Sequence, residues 1–189
     1  MLFKNKYRIE SARLKDWDYS NPWWYYITIN TKNYVEYFGD VENEQMVLNE
    51  LGEIVKQECL KTKEIRSNVD LDCYVVMPNH FHGIIIINEN VKTTGSVVSG
   101  NIKLNNETTH RVVSTKLKPN SLGSIIGQFI SVCTKKINKL GNLGFAWQAG
   151  FYDRIIRNDK ELFQIRKYIE QNPIKWEYEK EGVENLDFV

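Results

Sequence analysis

Two periods organise the apolar positions of this chain. Trp23-Trp24-Tyr25-Tyr26-Ile27-Thr28-Ile29-Asn30, β-branched and aromatic and preceded by Asn21-Pro22, predicts a first strand. From about Asn43 to Ile65 the period changes: Met46, Val47, Leu51, Ile54, Val55 and Cys59 recur at helical spacing, with charged residues on the other face. This predicts a helix crossing to the next strand. Leu71 to Met77 and His80 to Ile87 then read as two strands, or as one strand bent at Pro78, because proline cannot donate to a ladder. Residues 88–120 carry Asn, Thr, Ser, Lys and Val but no aromatic residue, and read as a flexible polar insertion.

A helix resumes at Ser121-Leu122-Gly123-Ser124, with Ser121 or Ser124 as its cap. Its buried stripe is Ile125, Ile126, Phe129, Val132 and Cys133, and its outer face carries Lys135, Lys136 and Lys139. Gly141 to Gly144 stops it, and Phe145 to Arg157 reads as a strand or a bent strand pair. The last helix starts near Asn158-Asp159, turns Leu162, Phe163, Ile165 and Ile169 to the sheet, and ends at Asn172-Pro173. Tyr168 and Asn172 stand at i and i+4 and so share one face. An acidic tail fills 176–189.

At 189 residues and 42% hydrophobic content, the chain is read as a single domain, 1–189, with a core of its own. Its longest apolar run is far short of the ~20 residues of a membrane helix, and Met1 to Lys6 has no apolar stretch for a signal peptide. Cys59, Cys73 and Cys133 are odd in number and widely spaced, as buried free thiols of a reducing compartment would be. The expected location is therefore cytoplasmic, without a membrane partner. Charge is uneven beneath a net +1. Residues 1–100 carry 11 Lys+Arg against 14 Asp+Glu, residues 101–175 carry 13 against 5, and residues 176–189 carry 1 against 5. A cationic middle between acidic ends suits one phosphate-facing surface, although solvated faces produce such blocks too.

The most informative chemistry is His80-Phe81-His82, because strand side chains alternate and the two imidazoles point the same way. Both can offer nitrogen to one divalent ion while Phe81 buries itself on the opposite side; the alternative is a pair of surface imidazoles. His110, the one other histidine, falls in the polar insertion and reads as a solvated loop residue. Tyr168, taken alone, reads as a core residue with its hydroxyl at the edge.

Three segments together carry a resemblance: Met77-Pro78-Asn79-His80-Phe81-His82, Trp147 to Asn158, and Tyr168-Ile169-Glu170-Gln171-Asn172-Pro173-Ile174-Lys175. In this order and spacing they resemble the single-tyrosine HUH transposases, in particular the REP-associated tyrosine transposases of bacteria. The resemblance implies an α+β fold, a ferredoxin-like βαββαβ antiparallel sheet with helices on one face and a C-terminal tyrosine-bearing helix. That order agrees with the elements read from periodicity. It also implies that His80 and His82 bind metal, that Tyr168 is the nucleophile, and that Asn172, or Gln171 one position earlier, completes the metal site.

An ordinary phenol, with a pKa of about 10, must be activated and aimed before it attacks phosphorus. Mg²⁺ or Mn²⁺ held by His80, His82 and an amide oxygen would supply that activation; histidine ligands leave the choice between the two ions open. The expected activity is cleavage and rejoining of single-stranded or hairpin DNA through a 5′-phosphotyrosine. Lys135, Lys136, Lys139, Arg154, Arg157, Arg166 and Lys167 are the candidate phosphate contacts, and Trp147 or Tyr152 the candidate stacking residues, with core packing the simpler role for Trp147. Two alternatives stand beside this one. One is a catalytically silent binder of DNA hairpins, and the other a metal-independent single-strand binder using Trp23, Trp24, Tyr25 and Tyr26 as a stacking platform. A monomer and a homodimer are both compatible with the sequence.

Overall fold

The computed structural model describes residues 2–3, 7–8, 14, 16–89, 118–180 and 182. Its elements are β1 (Leu2–Phe3), β2 (Tyr7–Arg8), β3 (Trp23–Asn30), β4 (Gly39–Glu42), β5 (Gln45–Leu48), α1 (Glu50–Ile65), β6 (Val69–Met77), β7 (His80–Ile87), α2 (Leu122–Lys139), β8 (Tyr152–Ile155), α3 (Asp159–Glu170) and α4 (Asn172–Lys180). Four of the strands build one antiparallel sheet in the order β6-β7-β3-β8. Taken in chain order, β3-α1-β6-β7-α2-β8 is the βαββαβ arrangement. The polar insertion at 88–120 falls almost wholly outside the described residues, as does His110.

Strand alternation divides the sheet into two faces with different coverings. On one, Tyr25, Ile27, Ile29, Phe81, Ile85 and Ile87 pack against Val55 and Cys59 of α1 and Leu122, Ile125, Phe129 and Cys133 of α2. Burying this much apolar surface is the main driving force for the domain. On the other, Trp24, Tyr26, Cys73, Val75 and Ile84 meet Leu162, Ile165 and Ile169 of α3. The predicted helical layer thus covers one face, and the tyrosine-bearing helix lies on the opposite one. Gly83 makes room on the first face: a Cβ there would stand 2.9 Å from the Phe81 ring, so the ring lies over its own strand.

Pro78-Asn79 forms a two-residue turn between β6 and β7, pairing Met77 with His80 and making two strands rather than one bent strand. The segment after β3 clamps this turn: Thr31 N–H donates to Asn79 O at 2.8 Å, and the N–H groups of Tyr37 and Phe38 donate to Pro78 O at 2.8 and 3.1 Å.

Three sequence expectations are corrected, and the choice left open over Phe145 to Arg157 falls to a single strand. The helix begins at Glu50, not Asn43, because Asn43 and Glu44 adopt φ of 51° and 62° and turn the chain into a β4-β5 hairpin that takes Met46 and Val47. Asn49 then caps α1 through its side-chain oxygen. Phe145 to Arg157 yields one short strand, since Gly150 sits at φ 83° and Trp147 makes an isolated bridge to Thr31. Phe163 does not face the sheet; it is 67% exposed. Finally, Pro173 does not end the helical region, because proline is tolerated in a first turn, where its missing N–H is no loss, and Asn172–Lys180 forms a new helix. The expected acidic tail therefore starts as helix through Lys180, and 181 and 183–189 lie outside the described residues.

Phe81→Ala, which empties a 1% exposed ring site between the sheet and α2, should lower unfolding stability by about 3–5 kcal/mol in urea denaturation. Asn158→Ala, which removes the side-chain acceptor of the Glu161 N–H at the start of α3, should cost about 1 kcal/mol.

Candidate active site

His80 and His82 project from β7 onto the face covered by α3, with ring centroids 4.6 Å apart. The register that puts them there pairs Asn30 with His80 and Thr28 with His82. His82 is 4% exposed. Its Nδ1 lies 2.9 Å from Thr28 Oγ1 and 2.9 Å from Tyr26 Oη, and Thr28 Oγ1 donates to Tyr26 Oη at 3.1 Å. Ligation through Nε2 needs a proton on Nδ1, and the Thr28 oxygen, with its own hydrogen committed to Tyr26, can accept it.

His80 is oriented by its neighbour. Asn79 Nδ2 donates to Tyr34 O at 3.1 Å, which turns Asn79 Oδ1 toward His80 Nδ1 at 2.7 Å. An amide oxygen only accepts, so Nδ1 carries the proton and Nε2 keeps its lone pair. That lone pair faces Asn172 Oδ1 at 3.2 Å. Two ligands at right angles on an octahedral ion, each at 2.0–2.1 Å, would be about 3 Å apart, so the donor pair fits one small divalent cation. Asn172 is 6% exposed at the start of α4, whereas Gln171, the C-cap of α3, lines the groove outside. Among the described residues no group of three or more His, Cys, Asp or Glu side chains gathers. The groups that could hold a cation here are two imidazoles and an amide oxygen, a set that would leave coordination positions open.

Burial pushes His80 below the usual imidazole value, although the Asn172 oxygen beside it favours the charged form. Burial, His80 and Lys175 together hold His82 down to about 3. Both rings are thus neutral at pH 7, the form that ligates metal.

Tyr168 comes from α3 to the edge of this cluster. Its ring is 5.3 Å from that of His82 and 6.4 Å from that of Tyr26, and the residue is 42% exposed. The adjacent Ile169 is 1% exposed, so the helix buries one residue as an anchor and leaves the next open to solvent. Lys175 Nζ lies 5.6 Å from the centre of the Tyr168 ring. Trp176, one turn after Asn172, packs its ring 5.8 Å from His80.

The predicted cations scatter. Lys135, Lys136 and Lys139 belong to α2, across the sheet from the histidines, and Lys136 pairs with Glu58 at 2.6 Å. Arg166 holds Asp72 with two bonds of 2.8 and 2.7 Å, joining α3 to β6, and Arg154 pairs with Glu161. Arg157 is exposed at the entry to α3, and Lys167 lines a groove beside Tyr168. Trp147 packs into the core against Phe38, Phe129 and Phe145, while Tyr152 is 49% exposed, 6.3 Å from Tyr26. Trp23 to Tyr26 makes no open platform, because Tyr25 is fully buried and Tyr26 is 8% exposed. Sequence reasoning missed Asn79, Tyr26, Thr28 and Trp176. The first three were readable as the turn residue beside His80 and the same-face positions of β3; Trp176 was hidden once Pro173 was taken as a helix end.

No protein-family model matches the chain. An uncharacterised protein of Haemophilus influenzae (strain ATCC 51907 / DSM 11121 / KW20 / Rd) is 37% identical over 170 residues, covering 90% of this chain and 91% of that protein. Among solved structures, a REP-associated tyrosine transposase bound to a REP hairpin is similar with a TM-score of 0.55 at 17% identity, over 89% of this chain and 74% of that one. At that identity the likeness is one of fold. The chain belongs to one family with the Haemophilus influenzae protein, and its α+β fold is that of a REP-associated tyrosine transposase.

Proposed function

We propose that this protein is a metal-dependent strand-transfer enzyme of the transposase type, which cleaves and rejoins single-stranded, hairpin-bearing DNA through Tyr168. The observation that carries the reading is the convergence of two stretches distant in sequence, the start of β7 and the break between α3 and α4. His80 and His82 on β7, Asn172 on α4 and the half-exposed Tyr168 on α3 meet in one cluster beside the apolar contacts of α3 with the sheet. The fold shared with a hairpin-bound tyrosine transposase supports the choice of DNA as substrate.

His80 Nε2, His82 Nε2 and Asn172 Oδ1 would hold Mg²⁺ or Mn²⁺, with Asn79 and Thr28 keeping the imidazole protons on the far nitrogens. When bound, the ion supplies Lewis-acid polarisation of the scissile phosphate and offsets charge developing on its oxygens. Tyr168 supplies the nucleophile. Its Oη–P bond forms as the P–O3′ bond breaks; the phenol loses its proton to solvent and the departing 3′ oxygen gains one. The products are a 5′-phosphotyrosine and a free 3′-hydroxyl. Because one phosphodiester replaces another, a second 3′-hydroxyl can reverse the step without a nucleotide cofactor. Lys175, with Nζ 5.6 Å from the centre of the Tyr168 ring, sets a positive charge beside the nucleophile, where it can meet the negative charge of the phosphate.

Tyr168→Phe should abolish covalent capture of labelled hairpin oligonucleotides on denaturing gels, by at least a hundredfold, while binding in a gel-shift assay changes less than about twofold. The variant removes a half-exposed hydroxyl and leaves the ring packing in place. An undiminished covalent band would remove Tyr168 from the mechanism.

His80→Ala combined with His82→Ala should remove both Mn²⁺ binding, followed by calorimetry on the DNA-free protein, and covalent capture; chelator should do the same to the wild type. Capture that persists in chelator would exclude the metal. DNA binding that survives with no adduct under any condition would favour the catalytically silent hairpin binder.

A further inference from the structure

Tyr168 lines two concavities, one between α3 and the sheet and one along α3 and the start of α4. One, of about 280 Å³, is lined by Tyr26, Tyr152, Arg154 and Glu161, and its one guanidinium is already paired with Glu161. The other, of about 570 Å³, differs in charge. Its described walls include Lys160, Phe163, Lys167, Gln171 and Lys175, with no carboxylate among them, and it opens directly onto Tyr168. Lys175 has Glu179 at 3.6 Å, but neither Lys160 nor Lys167 has an ion-pair partner among the described residues.

Phe163 makes this groove unusual. One residue after Leu162, and so turned about 100° around the helix from the Leu162, Ile165 and Ile169 stripe that packs on the sheet, Phe163 stands 67% exposed and presents an apolar ring to solvent. Lys160 precedes it by three residues and Lys167 follows it by four, so the three side chains line up along one edge of α3. At 1.5 Å per residue the two ammonium stems start ~10 Å apart along the axis with the ring between them. An exposed ring between two unpaired cations, in a groove free of acids, matches the two needs of an unpaired nucleic-acid strand: charge for the backbone and a flat apolar surface for a base.

We propose that the groove along Lys160, Phe163 and Lys167 seats the unpaired DNA strand next to the scissile phosphate, with one base stacked on Phe163 and phosphates on the two lysines. The choice of DNA as occupant rests on the strand-transfer reading; the groove's charge and ring do not. Lys175, at the end of the groove nearest Tyr168, would meet the phosphate closest to the reacting one.

The test is binding of a fluorescein-labelled oligothymidylate of about twelve nucleotides to the full-length protein in chelator, read by anisotropy over a range of salt. Phe163→Ala should weaken binding at least fivefold, the lower end of one lost base stack, and Phe163→Trp should restore it. Lys160→Gln with Lys167→Gln should reduce the slope of log affinity against log salt by about 1.4, two single-strand phosphates at ~0.7 each. Removing the same charge from α1, with Lys56→Gln and Lys63→Gln, should leave the slope unchanged. Wild-type affinity and slope in the groove variants would overturn the proposal. The two readings fail separately. A Tyr168 adduct with unaffected groove variants keeps the chemistry and discards the groove; groove effects without any adduct keep the strand seat and discard the chemistry.

Discussion

The register between β7 and β3 is the constraint on which the site depends. Side chains alternate along a strand, so a slip of one residue would turn His80 and His82 into the α1-α2 core and bring Phe81 out beneath α3. The same slip would carry Ile85 and Ile87 out of the core, so the apolar side of the strand enforces the position of its polar side. Gly83 sharpens the choice, since the Phe81 ring lies over it and no bulkier residue fits there without movement. The Pro78-Asn79 turn closes the other degree of freedom, pinned by backbone bonds from Thr31, Tyr37 and Phe38. The imidazoles are thereby oriented by hydrophobic burial on one side of the sheet and by a clamped turn at its end.

The break between α3 and α4 performs the corresponding task for Tyr168 and Asn172. Were the helix continuous, both residues would share one face with similar exposure. With the turn at Gln171, Asn172 instead starts a new helix and is buried against His80, while Tyr168 stays half exposed over His82. Arg166 fixes α3 to β6 through Asp72, which sits where the β6-β7 register shifts between Leu71 and Tyr74. A shift of this kind re-aims a side chain, and here it turns a carboxylate toward the helix that carries the tyrosine.

Much of this was legible in the sequence because it follows from period. The alternation through His80 to Ile87, the β-branched first strand, the Ser121 cap and the Asn158 cap all survive in the structure. Where the reading failed, a local backbone conformation outweighed the apolar pattern. Met46 and Val47 match a helical stripe as well as they match a strand, and the left-handed Asn43-Glu44 turn decides for the hairpin. Pro173 looks like a terminator and is instead an initiator, a distinction that depends on whether the preceding residues have already turned. Phe163 is apolar like the Leu162, Ile165 and Ile169 stripe beside it, but one residue of helix turns it about 100° from Leu162 and into solvent. The partners of the imidazoles were less visible, because Tyr26 and Thr28 come from a strand more than fifty residues away in sequence and join His82 only through strand pairing.

Charge is where sequence and structure part most. The cationic middle of the chain suggests a single phosphate-facing surface, but in the fold its described cations divide between two sides of the sheet. Lys135, Lys136 and Lys139 lie on α2 behind the core, with Lys136 neutralised by Glu58. Arg154 is paired with Glu161 and Arg166 with Asp72, and the Arg166 guanidinium, in a two-bonded carboxylate pair, has little reason to release it for a solvated phosphate. What remains near Tyr168 is a short row of ammonium groups on α3 and α4. An ammonium on a flexible stem imposes little geometry on a phosphate, so such a row can follow a backbone without fixing which bases it carries. On the strand-transfer reading, sequence preference would then come from elements other than the groove beside Tyr168.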